Sequence, residues 1–166
     1  YGGKITFTTP MLWSLAFIFE FLIGGITGIF LGASGNDIYM HDTYFVLAHF
    51  HYTFYPIAII GTYAGFTYWF PKMFGRMMDD RLGKLHFWLT IIPFNLIFLP
   101  LFVLGAAGQH RRIYDYQNFP ELALPWMQDI RQFATINLCI MLGAQIIFFY
   151  NVIKSWTSGP EAGKNP

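Results

Sequence analysis

Two histidines, His49 and His51, lie two positions apart in the apolar run Tyr44-Phe45-Val46-Leu47-Ala48-His49-Phe50-His51-Tyr52. At 3.6 residues per turn, positions i and i+2 are about 200° apart, so the two imidazoles leave opposite sides of a helix. A single metal ion held by one helix takes i and i+3, or i and i+4, from one face. The observed spacing suits two separate metal centres, one on each flank, with Phe50 between them. The alternative is a pair of core histidines hydrogen-bonded to nearby carbonyls. Imidazole at membrane depth is costly unless it faces the bundle interior and finds a partner. His41-Asp42, eight residues upstream, add another imidazole and a carboxylate to the same region.

Other residues invite chemistry with less pattern. Arg111-Arg112 are adjacent cations at the end of an apolar run, which alone reads as interfacial charge. Glu20 is the one acid inside the first apolar segment. At that depth a carboxyl faces a cavity or partner, or stays protonated, and structural and proton-handling roles both remain open. His86 reads as an interfacial residue in the first turn of its helix. Cys139 excludes an internal disulfide and reads as packing.

The elements that position these groups follow from composition. Of 166 residues, 55% are hydrophobic, 20% aromatic and only 11% charged, against about 25% charged in a soluble domain. That is too little polar surface for a water-facing exterior. The sequence predicts an all-α integral membrane helical bundle with spans at about 10–31, 43–70, 85–107 and 130–153, and a flexible tail over 156–166. The first span covers about 33 Å, enough for the ~30 Å hydrocarbon core. Thr9 is expected as its N-cap with Pro10 at the first helical position. Gly24, Gly25 and Gly28 permit close helix contact. Gly32 to Met40 reads as a loop, and Asp42 or Thr43 as the cap of the histidine helix. Pro56 should kink that helix, since it cannot donate to the Tyr52 carbonyl. Pro93 and Pro100 interrupt the third span.

The net charge of +1 offers no nucleic-acid footprint, and the membrane lipid is the surrounding partner. Lys72, Arg76, Arg81, Lys84 and Lys154 fall on one side, which the positive-inside rule assigns to the cytoplasm or the mitochondrial matrix. Both chain ends belong to that side, opposite Asp42 and Arg112. A start at Tyr1 without methionine reads as a fragment, a processed chain or part of a split gene.

The string His41-Asp42-Thr43-Tyr44-Phe45-Val46-Leu47-Ala48-His49-Phe50-His51-Tyr52 resembles the signature of subunit I of the haem–copper oxygen reductases, the cytochrome c oxidase type. The resemblance covers residues 1–155 and implies the last four of twelve helices, the C-terminal third of that subunit. It implies two haems of the A type, with His49 ligating the high-spin haem iron and His51 the low-spin haem iron. Arg111 and Arg112 would contact haem propionates, as would Asp37 and Tyr44, and His41 and Asp42 would bind Mg2+. Copper is implied as well, with its ligands outside this chain. So are the second low-spin haem ligand and the main proton-path residues, so no catalytic set is complete here. Implied partners are the remaining helices of subunit I, subunit II and cytochrome c. The membrane would be the bacterial plasma membrane or the mitochondrial inner membrane. The family usually reads Gly-Met-Pro before the arginine pair, where this chain has Gly108-Gln109-His110. The implied activity is reduction of O2 to water coupled to proton translocation. A quinol-oxidising member of the superfamily is the nearest alternative, weakly disfavoured by His41-Asp42. A transporter or a structural module without haem accounts for the apolar spans, but not for His49, His51 and the paired arginines together.

Overall fold

A computed structural model of the chain describes residues 2, 3 and 5–163. In an apolar medium backbone groups must be satisfied within the segment itself, and the chain answers with helices. Among the described residues there is no strand, only two isolated bridges, Thr43 with His110 and Arg76 with Glu161. Helix α1 runs Thr9–Gly32, short helix α2 Ser34–Met40, α3 Tyr44–Tyr55 and α4 Gly61–Phe74. Helix α5 runs Asp80–Ala106 and α6 Pro125–Ser158, with a 3-10 turn at Tyr116–Asn118 between them. Three helices, α1, α5 and α6, are each long and apolar enough to cross a membrane. A fourth rod is made of α3 and α4 joined end to end through a π-helical segment, Pro56–Ile60.

The local chemistry explains where several boundaries depart from expectation. Thr8, not Thr9, is the N-cap of α1, and it makes no side-chain cap bond. Thr9 is turned toward α5 instead. Its N–H and its hydroxyl both donate to Asp80 Oδ1, at 2.9 and 2.8 Å, so the first orphan N–H of α1 is satisfied from a different helix. Residues 34–40, expected as loop, form about two turns of helix before His41. The kink expected at Pro56 takes the form of a π-turn, which absorbs the missing N–H by widening the helix over five residues. Helix α5 continues through Pro93 and Pro100 without interruption. The segment from 156, expected to be free, is helical to Ser158 and then tied down. Met77 N–H donates to Pro160 O (2.8 Å), Ala162 N–H to Gly75 O (2.9 Å), and the Arg76 guanidinium to Gly159 O (2.6 Å). Backbone groups left open by the turn at Gly75 give this tail partners; residues 164–166 lie outside the described residues.

Helices α1, α3–α4, α5 and α6 alternate in direction. One end gathers Thr9, Asp79, Asp80 and Lys154; the other gathers Asp42, Arg111 and the Tyr44–Tyr116 pair. The basic loop 72–84 therefore shares an end with Lys154, opposite Arg112. Two apolar clusters hold the rods together. Ala48, Tyr52, Phe94, Phe98, Leu104 and Met141 join α3, α5 and α6, while Trp13, Ala16, Ile60 and Phe87 join α1, the π-segment and α5. His86 belongs to this interior and not to an interface. It is 2% exposed, beside Trp13, and its Nε2 lies 3.1 Å from Gln145 Oε1, which also accepts the Tyr63 hydroxyl. An amide oxygen only accepts, so His86 Nε2 carries the hydrogen.

Candidate functional site

His49 and His51 leave α3 on different flanks and lean on different helices. His49 Nδ1 stands 3.0 Å from Gly24 O and 3.1 Å from Thr27 Oγ1, both on α1. A carbonyl oxygen can only accept, so Nδ1 bears the hydrogen and Nε2 keeps its lone pair. Glycine makes the approach possible. A Cβ on Gly28 would come within 2.9 Å of His49 Cε1, and one on Gly24 within 2.6 Å of Tyr52 O. Of the glycines read in sequence as a helix-contact stripe, Gly28 thus forms the slot that seats the His49 ring, and Gly24 lets α1 close on the α3 backbone.

His51 is held from its own helix. Its Nδ1 donates to Leu47 O at 2.8 Å, which again leaves Nε2 as a free base. The ring is stacked on Phe98 of α5, with centroids 4.3 Å apart and planes 17° from parallel. Phe50 lies between the two histidines, edge-on to His51 and stacked on Phe54. Among the described residues no hydrogen bond reaches either Nε2, and both rings are partly exposed. Each flank therefore presents one anchored imidazole with an available lone pair, the arrangement an axial metal ligand requires.

Above α3, the loop after α5 folds back onto the start of the histidine helix. Thr43 Oγ1 caps α3 by accepting from Phe45 N–H (3.2 Å). Tyr44 N–H donates to Gln109 O (3.0 Å) and Arg111 N–H to Asp42 O (2.9 Å). The Arg111 guanidinium donates twice to Asp42 Oδ1, at 3.1 and 2.9 Å, while Arg112 stands 4.0 Å away with a side chain 76% exposed. The bond from Arg111 holds the Asp42 carboxyl below the usual carboxylate range. Asp42 and Arg112 have φ of 57° and 67°, the left-handed region that non-glycine residues seldom occupy. Such strain persists where the surroundings impose it and collects at functional sites. Here it lets consecutive arginines face in different directions, one toward Asp42 and one outward.

His41 and Asp42 are adjacent and exposed. His41 Nδ1 donates to Asp37 O (2.8 Å), leaving its Nε2 free, and among the described residues every bond to the Asp42 carboxylate falls on Oδ1, leaving Oδ2 free. Among the described residues no three His, Cys, Asp or Glu side chains gather as a metal site. Asp37 meets this cluster through its backbone only. The Tyr44 hydroxyl is 2.9 Å from that of Tyr116, whose ring carries the Arg131 guanidinium at 4.6 Å. Tyr116 and the anchors Gly24, Thr27 and Phe98 were not singled out from sequence as site residues. Only the glycine spacing offered a signal for them, because carbonyl acceptors and stacking rings carry no residue-type signature.

The chain matches the family described as cytochrome c and quinol oxidase polypeptide I over residues 1–146. It is 42% identical over 166 residues to a cytochrome c oxidase subunit 1 of Thermostichus vulcanus, covering 100% of this chain and 29% of that protein. Cytochrome c oxidase subunit 1 of Corynebacterium efficiens is 44% identical over 160 residues, covering 96% of this chain and 27% of the relative. The Corynebacterium glutamicum protein of the same name is also 44% identical over 160 residues, with 26% of its length covered. The chain thus spans less than a third of these relatives.

Proposed function

This chain belongs to the cytochrome c and quinol oxidase polypeptide I family, and from that premise we propose that it is part of the catalytic subunit of a respiratory terminal oxidase. In this reading His49 Nε2 ligates the high-spin haem and His51 Nε2 the low-spin haem. The observation that carries it is the matched pair of Nδ1–H anchors, Gly24 O for His49 and Leu47 O for His51, each leaving Nε2 as a base on its own flank. A hydrogen bond at Nδ1 fixes ring orientation and raises ligand basicity. The Gly28 slot adds shape, since any side chain there would meet the His49 ring.

Bound haem of the A type supplies one-electron chemistry, and axial imidazole tunes its potential. The chain's own residues bind and orient it. Arg112, exposed and 4.0 Å from Asp42 Oδ1 at its nearest, offers a planar fork for a propionate, with Arg111 beside it once Asp42 shares its charge. Tyr44 and Asp37 lie at the same end and add hydrogen-bonding capacity. Asp42 Oδ2 and His41 Nε2 would be available to a Mg2+ ion shared with a neighbouring subunit. Copper and its ligands belong to the remaining helices of subunit I. The complex reduces O2 to water with electrons from cytochrome c and translocates protons across the bacterial plasma membrane or mitochondrial inner membrane.

The test is a pair of substitutions in the assembled oxidase. His49→Ala removes the CO-induced spectral shift of the high-spin centre and keeps a six-coordinate low-spin signal. His51→Ala does the reverse, leaving CO binding in dithionite. If both variants lose the same single haem, the two-centre reading is wrong. Orientation is tested with Cys139→Ser as background. Cysteines at positions 79 and 111 should label from opposite sides, and labelling from one side would refute the topology.

A further inference from the structure

The haem reading leaves Glu20 without a task. Its side chain is 1% exposed, in the interior between α1, α3 and α5. Asn95 Nδ2 donates to Glu20 Oε1 at 2.7 Å, with its other hydrogen directed to Ile91 O at 3.0 Å. Asn95 Oδ1 accepts the Tyr52 hydroxyl at 2.8 Å. Glu20 Oε2 is buried with no hydrogen-bond partner among the described residues. The described residues also place no Lys, Arg or His in an ion pair with it.

These contacts distinguish the two oxygens. A carboxylate here would be a buried charge with one neutral donor and no cation, an arrangement proteins avoid. The neutral acid suits the site, with Oε1 as the carbonyl oxygen facing the Asn95 N–H and Oε2 bearing the hydrogen. Position adds the second half of the argument. Glu20 lies one helical turn before Gly24, whose carbonyl anchors His49. Through Asn95 it also reaches Tyr52, the neighbour of His51 in the chain. The carboxyl therefore connects directly along α1 to the anchor of His49 and, through Asn95 and Tyr52, to the Phe98 ring on which His51 stacks, in surroundings that screen charge poorly.

We propose that Glu20 is a proton-binding site whose occupancy follows the charge on the cofactors of the histidine helix. An electron arriving on that helix favours the neutral acid, and its departure favours release. In release the Oε2–H bond breaks and the proton passes to water; no electron moves through the residue. The proposal rests on the haem reading above and extends it.

Reduced-minus-oxidised infrared difference spectra of the assembled complex test this in the carboxylic-acid C=O region. The wild type should show a band that gains intensity on reduction and moves down in D2O. Glu20→Gln should abolish it with the haem bands intact. Asn95→Ala should move it to higher wavenumber, because Oε1 loses its donor. Identical carboxyl bands in wild type and Glu20→Gln overturn the proposal. So does a band that ignores Asn95→Ala, which decides the matter should Glu20→Gln fail to assemble. A complex with haem absorption but a silent carboxyl region refutes this proposal alone. A complex without haem absorption refutes the haem reading, and this inference with it.

Discussion

His49 and His51 are the same residue type on one helix, two positions apart, yet they are held by different means. His49 depends on a neighbouring helix: Gly24 O and Thr27 Oγ1 fix its nitrogen, and Gly28 gives its ring room. His51 depends on its own helix for the hydrogen bond and on the face of Phe98 for its plane. The first orientation is therefore set by how closely α1 approaches α3. The second is set locally and then steadied by α5. Substitutions on α1 and α5 should thus affect different centres, although their target histidines are almost adjacent.

The largest effect is expected from Phe98→Ala. It removes a ring that is 7% exposed and stacked on His51, and should destabilise the bundle by about 3 kcal/mol. Denaturation would measure this, and absorption spectra should show a broadened His51 centre beside an unchanged His49 centre. Gly28→Ala comes next. Its methyl would meet the His49 ring, which must leave Gly24 O, at a cost of roughly 1–3 kcal/mol. Under the proposed two-haem reading, CO binding should fall while the low-spin signal persists; equal damage to both centres would break the comparison. Thr27→Val removes one of two acceptors facing His49 Nδ1 but leaves Gly24 O, so about 1 kcal/mol or less is expected. A small spectral shift confined to the high-spin centre would confirm it.

The smallest effect is expected from acid, and it should not discriminate between the flanks. Asp42 has its carboxyl held low by Arg111. A carboxyl whose folded value is depressed contributes stability that is complete above its ordinary value and lost as pH falls through the folded one. The Asp42–Arg111 clasp should therefore persist through neutral pH and loosen only below the ordinary carboxylate range. Exchange of the Arg111 amide hydrogen, which is bonded to Asp42 O, would report this. Loosening already near neutral pH would contradict the assignment.

Much of this was legible in the residues. The apolar spans, the opposed histidines and the arginine pair are all features of type and spacing, and the helical period alone sends His49 and His51 to different sides. Pro56 announced a disturbance, since proline has no N–H to offer Tyr52 O, but whether the helix bends or widens depends on its neighbours. His86 illustrates the opposite case. Its place near a helix start suggested an interface, whereas Trp13 and Gln145, distant in sequence, enclose it.

The sequence by itself determined an apolar all-helical chain and the two-sided placement of its histidines, because these follow from hydropathy and a fixed helical repeat. Only the tertiary structure decided which nitrogen His49 leaves free, that Asp80 rather than Thr9 completes the start of α1, and that Glu20 meets Asn95 and, through it, Tyr52. Those outcomes depend on carbonyls, amides and ring faces brought together across 22 to 75 positions of chain. Backbone acceptors are identical at every residue, so no pattern of side chains could have singled out the ones that matter.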